Sequence, residues 1–216
     1  MVHSASSGPQ IGIAAAAGSG HVLWLVRHGE STWNRLGLAQ GHCDQARLTR
    51  RGLRQAGAVA AELRGRPISA LYSSDLRRAL QTAVPLATAL GLPVSRDARL
   101  RERSLGILEG TDSAAILPAV SGLHAHRVVD PDARPPGGES LRDFYRRVAE
   151  FTDDLAAPAG DIAIVAHGGT LRMLNAYLRG IPVQDMSWEP LANGRILRLP
   201  AWRLDHVTNP SEREDR

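Results

Sequence analysis

Two histidines in this sequence stand in the same kind of place. Leu23-Trp24-Leu25-Val26 is a short apolar run that stops on Arg27-His28-Gly29, and Ile162 to Ala166 is another that stops on His167-Gly168-Gly169. A run without polar alternation suits a strand buried on both faces. A third run, Ile68 to Tyr72, stops on Ser73-Ser74-Asp75, with Arg77 and Arg78 just beyond it. Ligands in open α/β sheets bind beyond the carboxyl ends of the strands, an edge that parallel strands share. The pattern therefore brings His28, His167, Arg27 and the Arg77-Arg78 pair together, joined by Glu102 from the polar, Gly-punctuated segment 101–110.

Two imidazoles, two guanidinium groups and a carboxyl group suit phosphoryl transfer. A phosphate monoester is a dianion that repels nucleophiles. Arg27 and Arg78 can grip its oxygens bidentately and stabilise the charge spread over them in a loose transition state. His28 can attack phosphorus through one ring nitrogen if the other donates to a fixed acceptor, and neighbouring guanidinium groups help keep it neutral. His167 is expected to donate a further hydrogen bond to the transferring group. Glu102 is the candidate acid for the departing alkoxide, and afterwards the base that activates water. Magnesium would want clustered carboxylates, and the strand ends carry none, so neither metal nor cofactor is expected.

The elements that must hold these groups follow in order. Residues 1–20 are rich in Ser, Gly and Ala and read as a flexible extension with no charged start to a signal peptide. Ser31 or Thr32 can cap a short helix, and Gly29 allows a sharp turn or a close approach to a ligand. After a loop over 35–48, Thr49 caps a helix whose inner positions are Leu53, Ala56, Ala60 and Leu63. Ser73-Ser74-Asp75 opens a helix over about 76–90. Its stripe is Leu76, Ala79 or Leu80, Ala83, Ala87 and Leu90, and Pro85 should kink or split it. Residues 93–100 read as a strand. The stretch 111–136 resists assignment beyond a helical start near Ser113. Gly138-Glu139-Ser140 opens a helix with Leu141, Phe144, Val148, Phe151 and Leu155 inward. After His167 a helix turns Leu171, Leu174 and Leu178 inward, and Arg195 to Leu199 form an edge strand. This alternation defines an α/β fold, a three-layer α/β/α sandwich on a mainly parallel central sheet. It forms one domain over 21–205, with a polar tail at 206–216.

Composition narrows the partners. The 216 residues are 43% hydrophobic, enough for one sizeable core. No apolar run approaches the roughly 20 residues that span a bilayer. The formal net charge is +4, and all 26 basic residues are Arg. They are scattered, and with aromatics at only 4% there is neither a basic tract nor a stacking platform for nucleic acid. The single cysteine, Cys43, fits a reducing compartment, hence a cytoplasmic location. The expected partner is a small phosphorylated metabolite, and self-association into a homodimer is compatible with the sequence.

Five segments, in order, resemble the histidine phosphatase superfamily, the phosphoglycerate-mutase-like fold. They are Leu25-Val26-Arg27-His28-Gly29-Glu30-Ser31-Thr32-Trp33-Asn34, Ser73 to Ala83, Leu100 to Gly110, Gly137-Gly138-Glu139-Ser140-Leu141, and Val165-Ala166-His167-Gly168-Gly169. The resemblance selects Arg78 over Arg77 for phosphate. It makes Glu102 the proton donor with Glu109 its structural companion. It implies that Asn34, Gln40 and Gly41, with Gly168, help hold phosphate or substrate. Leu108 departs from an aromatic common in related sequences. The superfamily contains mutases as well as phosphatases. The short stretch 111–136, with only Arg127 and Arg134, and Gly169 after His167-Gly168, favour the phosphatase branch. A non-catalytic module binding phosphorylated ligands is the other alternative. His124 and His126 read as polar surface, His42-Cys43-Asp44 as a loop near the site, and Trp188 and Trp202 as packing. Sugar phosphates, phosphoglycerate derivatives, nucleotides and ribazole-type phosphates would all present the same monoester. Their discrimination falls to 35–47 and 111–136.

Overall fold

The computed structural model describes residues 21–114, 123–124, 127–155 and 159–202. The expected extension and tail, and His126, lie outside them. Strands β1 (His21–Arg27), β2 (Ile68–Ser73), β3 (Ser95–Arg96), β6 (Asp161–Ala166) and β7 (Ile196–Trp202) form one sheet in the order β3-β2-β6-β1-β7. All pairings are parallel except β1 with β7, so β7 is the antiparallel edge. A separate two-stranded ribbon joins β4 (Leu123–His124) to β5 (Arg127–Val128).

The three layers follow from the period of two along the strands. Leu23 and Leu25 of β1, with Ile162, Ile164 and Ala166 of β6, enter one core with α4 (Leu141–Asp153) and α5 (Gly168–Leu178). Trp24, Val26, Ala163 and Val165 enter the opposite core with α2 (Arg50–Leu63) and α3 (Arg77–Leu90). Asp161, at the start of β6, is buried because it accepts from Trp24 Nε1 at 2.8 Å and Val22 N at 3.0 Å. The carboxyl ends stay in register: Arg27 pairs with Ala166 and Ser73 with Val165. His28 N–H then donates to Ala166 O at 3.0 Å and Ser74 N–H to Val165 O at 3.0 Å. Both histidines therefore leave adjacent strands at one edge.

Local expectations hold at several caps. Ser31 and Asn34 form a capping box on α1 (Thr32–Leu36), Thr49 caps α2, and Ser140 with Asp143 forms a capping box on α4. All five inward positions expected along the 141–155 helix are buried.

Others are corrected. Leu53 is 53% exposed; Val59 and Gly52 complete the inner face of α2 instead. Helix α3 runs unbroken through Pro85, with Arg78, Ala79, Thr82, Ala83 and Leu86 buried. Packing of that face outweighs the hydrogen bond that proline removes. Ser73-Ser74-Asp75 does not cap it. Leu76 is the cap residue, without a side-chain bond, while Asp75 pairs with Arg101 at 2.7 and 2.5 Å. Only Ser95–Arg96 of the expected 93–100 strand pairs with β2, and Ala98–Leu100 form a 3-10 turn. Gly29 makes a close approach to backbone. A Cβ there would stand 2.4 Å from Gly52 O, so the loop after β1 presses directly on α2.

Candidate active site

His28 is 3% exposed, and its Nδ1 lies 2.7 Å from Gly29 O. A carbonyl only accepts, so Nδ1 carries the proton and Nε2 keeps its lone pair. Burial is the largest cause holding the His28 pKa well below the usual histidine range, with Arg78 and then Arg27 adding to it. The ring is thus neutral and aimed by its own backbone. Gly29 is held in turn by Thr82, whose Oγ1 accepts from Gly29 N at 3.1 Å and donates to Arg78 O at 2.9 Å.

The two imidazoles meet edge to face, with centroids 5.1 Å apart. Arg78 Nε donates to His167 Nδ1 at 3.3 Å, which makes Nδ1 the acceptor and leaves Nε2–H to donate to Ser74 Oγ at 2.9 Å. Both ring nitrogens of His167 are therefore engaged. The expected donation to a transferring group requires Nε2–H to leave Ser74. Burial first, then Arg78, lowers the His167 pKa well below its usual range.

Helix α3 decides between the two arginines. Arg78 is 1% exposed and faces the site. Arg77 points outward, 3.9 Å from Asp44. The Arg78 terminal nitrogens donate to Cys43 O and Gly41 O, both at 2.8 Å, leaving one N–H on each for a ligand. Burial lowers its pKa to about 10, which keeps the charge at neutral pH. The 41–43 loop thus braces the guanidinium through the carbonyls of Gly41 and Cys43. Glu109 braces the loop, accepting from His42 N at 2.8 Å. A Cβ on Gly41 would stand 2.1 Å from Glu109 Oε1, and φ there is +47°.

Arg27 is anchored by donation from one terminal nitrogen to Leu191 O, and its buried Nε has no partner among the described residues. Glu102 accepts from Arg103 N at 3.0 Å and from Gly169 N, in the first turn of α5, at 2.9 Å. Asn34 Oδ1 accepts from Ser31 N and Asn193 Nδ2, both at 3.1 Å, which leaves the Asn34 amide N–H groups for a ligand. Gln40 Oε1 meets Ser31 Oγ at 2.9 Å. His28, Glu102, Arg27, Arg78, His167, Asn34, Gln40, Gly41 and Gly168 all line one cavity of about 260 Å³.

Sequence reasoning missed four contributors. Thr82 holds Gly29, and Asn193 bridges Asn34 to His28 O at 3.1 Å. Arg172 and Trp188 also line the cavity, and Trp188 packs against the core as expected. Arg172 had a findable signal: it follows Gly168 by four residues, one helical turn further along the same face. The side chains of His124 and Trp202 lie outside what is described.

A layered parallel sheet whose adjacent strand ends deliver two neutral imidazoles among buried guanidinium groups defines a phosphoryl-handling class of α/β protein. Comparison with known proteins gives the family. The family model described as histidine phosphatase superfamily (branch 1) matches residues 23–204, and this chain belongs to that superfamily. A Hydrogenobacter thermophilus protein provisionally named phosphoserine phosphatase 2 is 36% identical over 166 residues, 76% of this chain and 81% of that one. A Yersinia pestis protein provisionally named phosphoglycerate mutase GpmB is 39% identical over 180 residues, 82% of this chain and 83% of that one. Among solved structures, a mycobacterial glucosyl-3-phosphoglycerate phosphatase with VO3 superposes with a TM-score of 0.74 at 34% identity. That match covers 86% of this chain and 97% of that one. Phosphatase-named relatives support phosphatase activity, and some relatives are named as mutases. Among the described residues no helix is long and apolar enough to cross a membrane.

Proposed function

We propose that this protein is a metal-independent phosphomonoesterase that hydrolyses a small phosphorylated metabolite through a phosphohistidine on His28. The observation that carries the reading is the Nδ1 contact of His28 with Gly29 O, which directs an unprotonated Nε2 away from its own backbone. Arg27 and Arg78 hold the phosphoryl oxygens, with Asn34 and Gln40 adding amide N–H donors. Nε2 attacks phosphorus in line, the P–O ester bond breaks, and Glu102 gives its proton to the departing alkoxide. Glu102, now a carboxylate held by Gly169 N–H, then takes a proton from the water that attacks the phosphohistidine. Inorganic phosphate leaves and His28 is regenerated. His167 acts as a positioning residue, its Nδ1 lone pair fixing Arg78 Nε.

The test is phosphate release from p-nitrophenyl phosphate in excess EDTA. Wild type retains activity, His28→Ala loses it, and an acid-labile phosphoenzyme accumulates on rapid quench. Activity abolished by chelation, or retained by His28→Ala, overturns the reading. The relatives named as mutases favour a second reading, phosphoryl exchange between positions of one substrate. With 3-phosphoglycerate and a trace of bisphosphoglycerate, isomerisation outrunning phosphate release would select that reading instead.

A further inference from the structure

Strand β7 runs antiparallel to β1, so its beginning, not its end, lies at the edge where the two histidines stand. Val26 pairs with Ile196, and the residues just before that pair, 191–195, lie along the end of β1. They hold it through main chain and side chain alike. Arg27 N donates to Arg195 O at 2.9 Å, and Gly194 N to Arg27 O and His28 O, both at 3.2 Å. The Arg27 guanidinium donates to Leu191 O.

Asn193 is the member of this loop whose side chain joins two site residues. Its Nδ2 lies 3.1 Å from His28 O and 3.1 Å from Asn34 Oδ1. A main-chain carbonyl only accepts, so the Asn193 atom facing His28 O is the amide nitrogen. Its second hydrogen then meets Asn34, where the facing atom must be an acceptor. Ser31 N–H, 3.1 Å from the same atom, imposes the same polarity. The Asn34 NH2 group is thereby left as the free branch, and Asn34 lines the cavity beside His28 and Arg78.

That polarity decides what a phosphoryl group meets. The two branches of a carboxamide are close in size, so hydrogen bonds and not shape choose between them. One orientation offers a phosphoryl oxygen two N–H donors, and the other offers it a repelling oxygen. The Ser31 hydroxyl is a divided lock. It accepts from Asn34 N, and its single hydrogen lies between Asn34 Oδ1 at 3.0 Å and Gln40 Oε1 at 2.9 Å. Asn193 supplies a donor from outside the loop.

We propose that Asn193 is a positioning residue: donating to His28 O and Asn34 Oδ1 together, it holds the Asn34 NH2 group toward the phosphoryl group and ties that donor to the backbone of the nucleophile. The inference rests on the phosphomonoesterase reading for the place of the phosphoryl group. Asn193 acts through Asn34, since Asn34 and not Asn193 lines the cavity.

The test is calorimetric titration of the full chain with inorganic phosphate, which reads the site without turnover. Asn193→Ala is expected to weaken the phosphate Kd about threefold to tenfold, the size of one lost hydrogen bond. In an Asn34→Ala background the same change costs less than about twofold, because the group it positions is gone. Asn193→Asp keeps the size but sets an acceptor against two acceptors. Its loss at pH 7.5 exceeds that of Asn193→Ala, and it shrinks toward pH 5 as the carboxyl gains a proton to donate. Expressing each Kd relative to wild type at the same pH cancels the titration of phosphate and of His28, with Arg27 and Arg195 charged throughout. That recovery is read within one folded protein, so it decides the matter even where the alanine variant fails to fold. A Kd for Asn193→Ala within about twofold of wild type, its full loss persisting without Asn34, or an Asn193→Asp deficit that ignores pH overturns the proposal. Phosphate bound by wild type without turnover of any ester sinks the phosphatase reading alone, and the Kd ratios still decide the role of Asn193. Wild type that binds no phosphate overturns both.

Discussion

Gly169→Ala probes how the acid is held. Gly169 N–H donates to Glu102 Oε2 at 2.9 Å, and an added methyl would stand 2.1 Å from Glu102 Oε1 and 2.9 Å from Phe144 Cε1. Ordinary contact begins at 3.4 Å, so the carboxyl oxygen must retreat by about 1.3 Å. Phe144 is fully buried and cannot yield the space. Alanine is otherwise favoured over glycine in a helix by about 1 kcal/mol, while overpacking costs about 1–3 kcal/mol. The net stability loss is therefore about 0–2 kcal/mol, a modest fall in Tm. The kinetic loss is larger, because about 1 Å of misplacement costs roughly 10²-fold. The expected result is a folded protein with kcat/KM on an alkyl phosphate down roughly 10²-fold. The deficit is smaller on p-nitrophenyl phosphate, whose leaving group departs without a proton. In a Glu102→Gln background the same change costs little more, since both act on one group. A folded Gly169→Ala protein within threefold of wild type on the alkyl phosphate, or full additivity in the double variant, refutes the reasoning.

Three further outcomes are expected. Arg78→Lys lowers turnover by about 10²-fold or more, because one ammonium cannot meet His167 Nδ1, Cys43 O, Gly41 O and a phosphoryl group together; steady-state kinetics near wild type would refute the clamp. His28 and His167 have lowered pKa values when folded, so the unfolded chain binds more protons as pH falls below 6.5. Their contribution to stability is complete above that pH and is lost on acidification, by up to about 1.4 kcal/mol per pH unit for each group. Urea unfolding from pH 7 to 5 should show this loss, and His167→Asn should flatten it. An equally steep loss in that variant would count against the assignment. Asp161→Ala strands Trp24 Nε1 and Val22 N in the buried sheet, costing about 2–4 kcal/mol. Chemical denaturation measures it, and a change under 0.5 kcal/mol would contradict the buried acceptor role.

The strand ends were legible because burial on both faces writes itself as an uninterrupted apolar run, and such a run ends where polar chemistry begins. That reasoning reaches His28 and His167 without knowing which strands are neighbours. The choice of Arg78 over Arg77 was not legible from strand ends. It depends on which face of α3 meets the sheet, and the expected stripe missed Thr82 and Leu86 on that face. The expected split at Pro85 failed for the same reason: a local rule about one hydrogen bond was weighed without the tertiary packing that carries the helix through it. Ser74 does both jobs: its hydroxyl meets His167 Nε2 and also accepts, at 3.3 Å, from the amide of Leu76, the cap residue of α3.

What stayed hidden is the scaffold one bond behind the reacting groups. Thr82 reaches Gly29 across 53 residues and Asn193 reaches His28 across 165. Such side-chain-to-backbone contacts have no period and no local spacing. Their effect on chemistry is nonetheless direct. In the proposed reaction Nε2 of His28 attacks only while Nδ1–H points at Gly29 O, and Thr82 holds the amide of that same residue. Thr82 also donates to Arg78 O, so one hydroxyl ties the backbone behind the nucleophile to the backbone of the phosphate clamp. On the proposed mechanism Thr82 thus links the backbone behind the attacking nitrogen to the backbone of the guanidinium that would hold the phosphoryl group. The sequence shows Thr82 only as one more polar position on a helix that otherwise looks apolar.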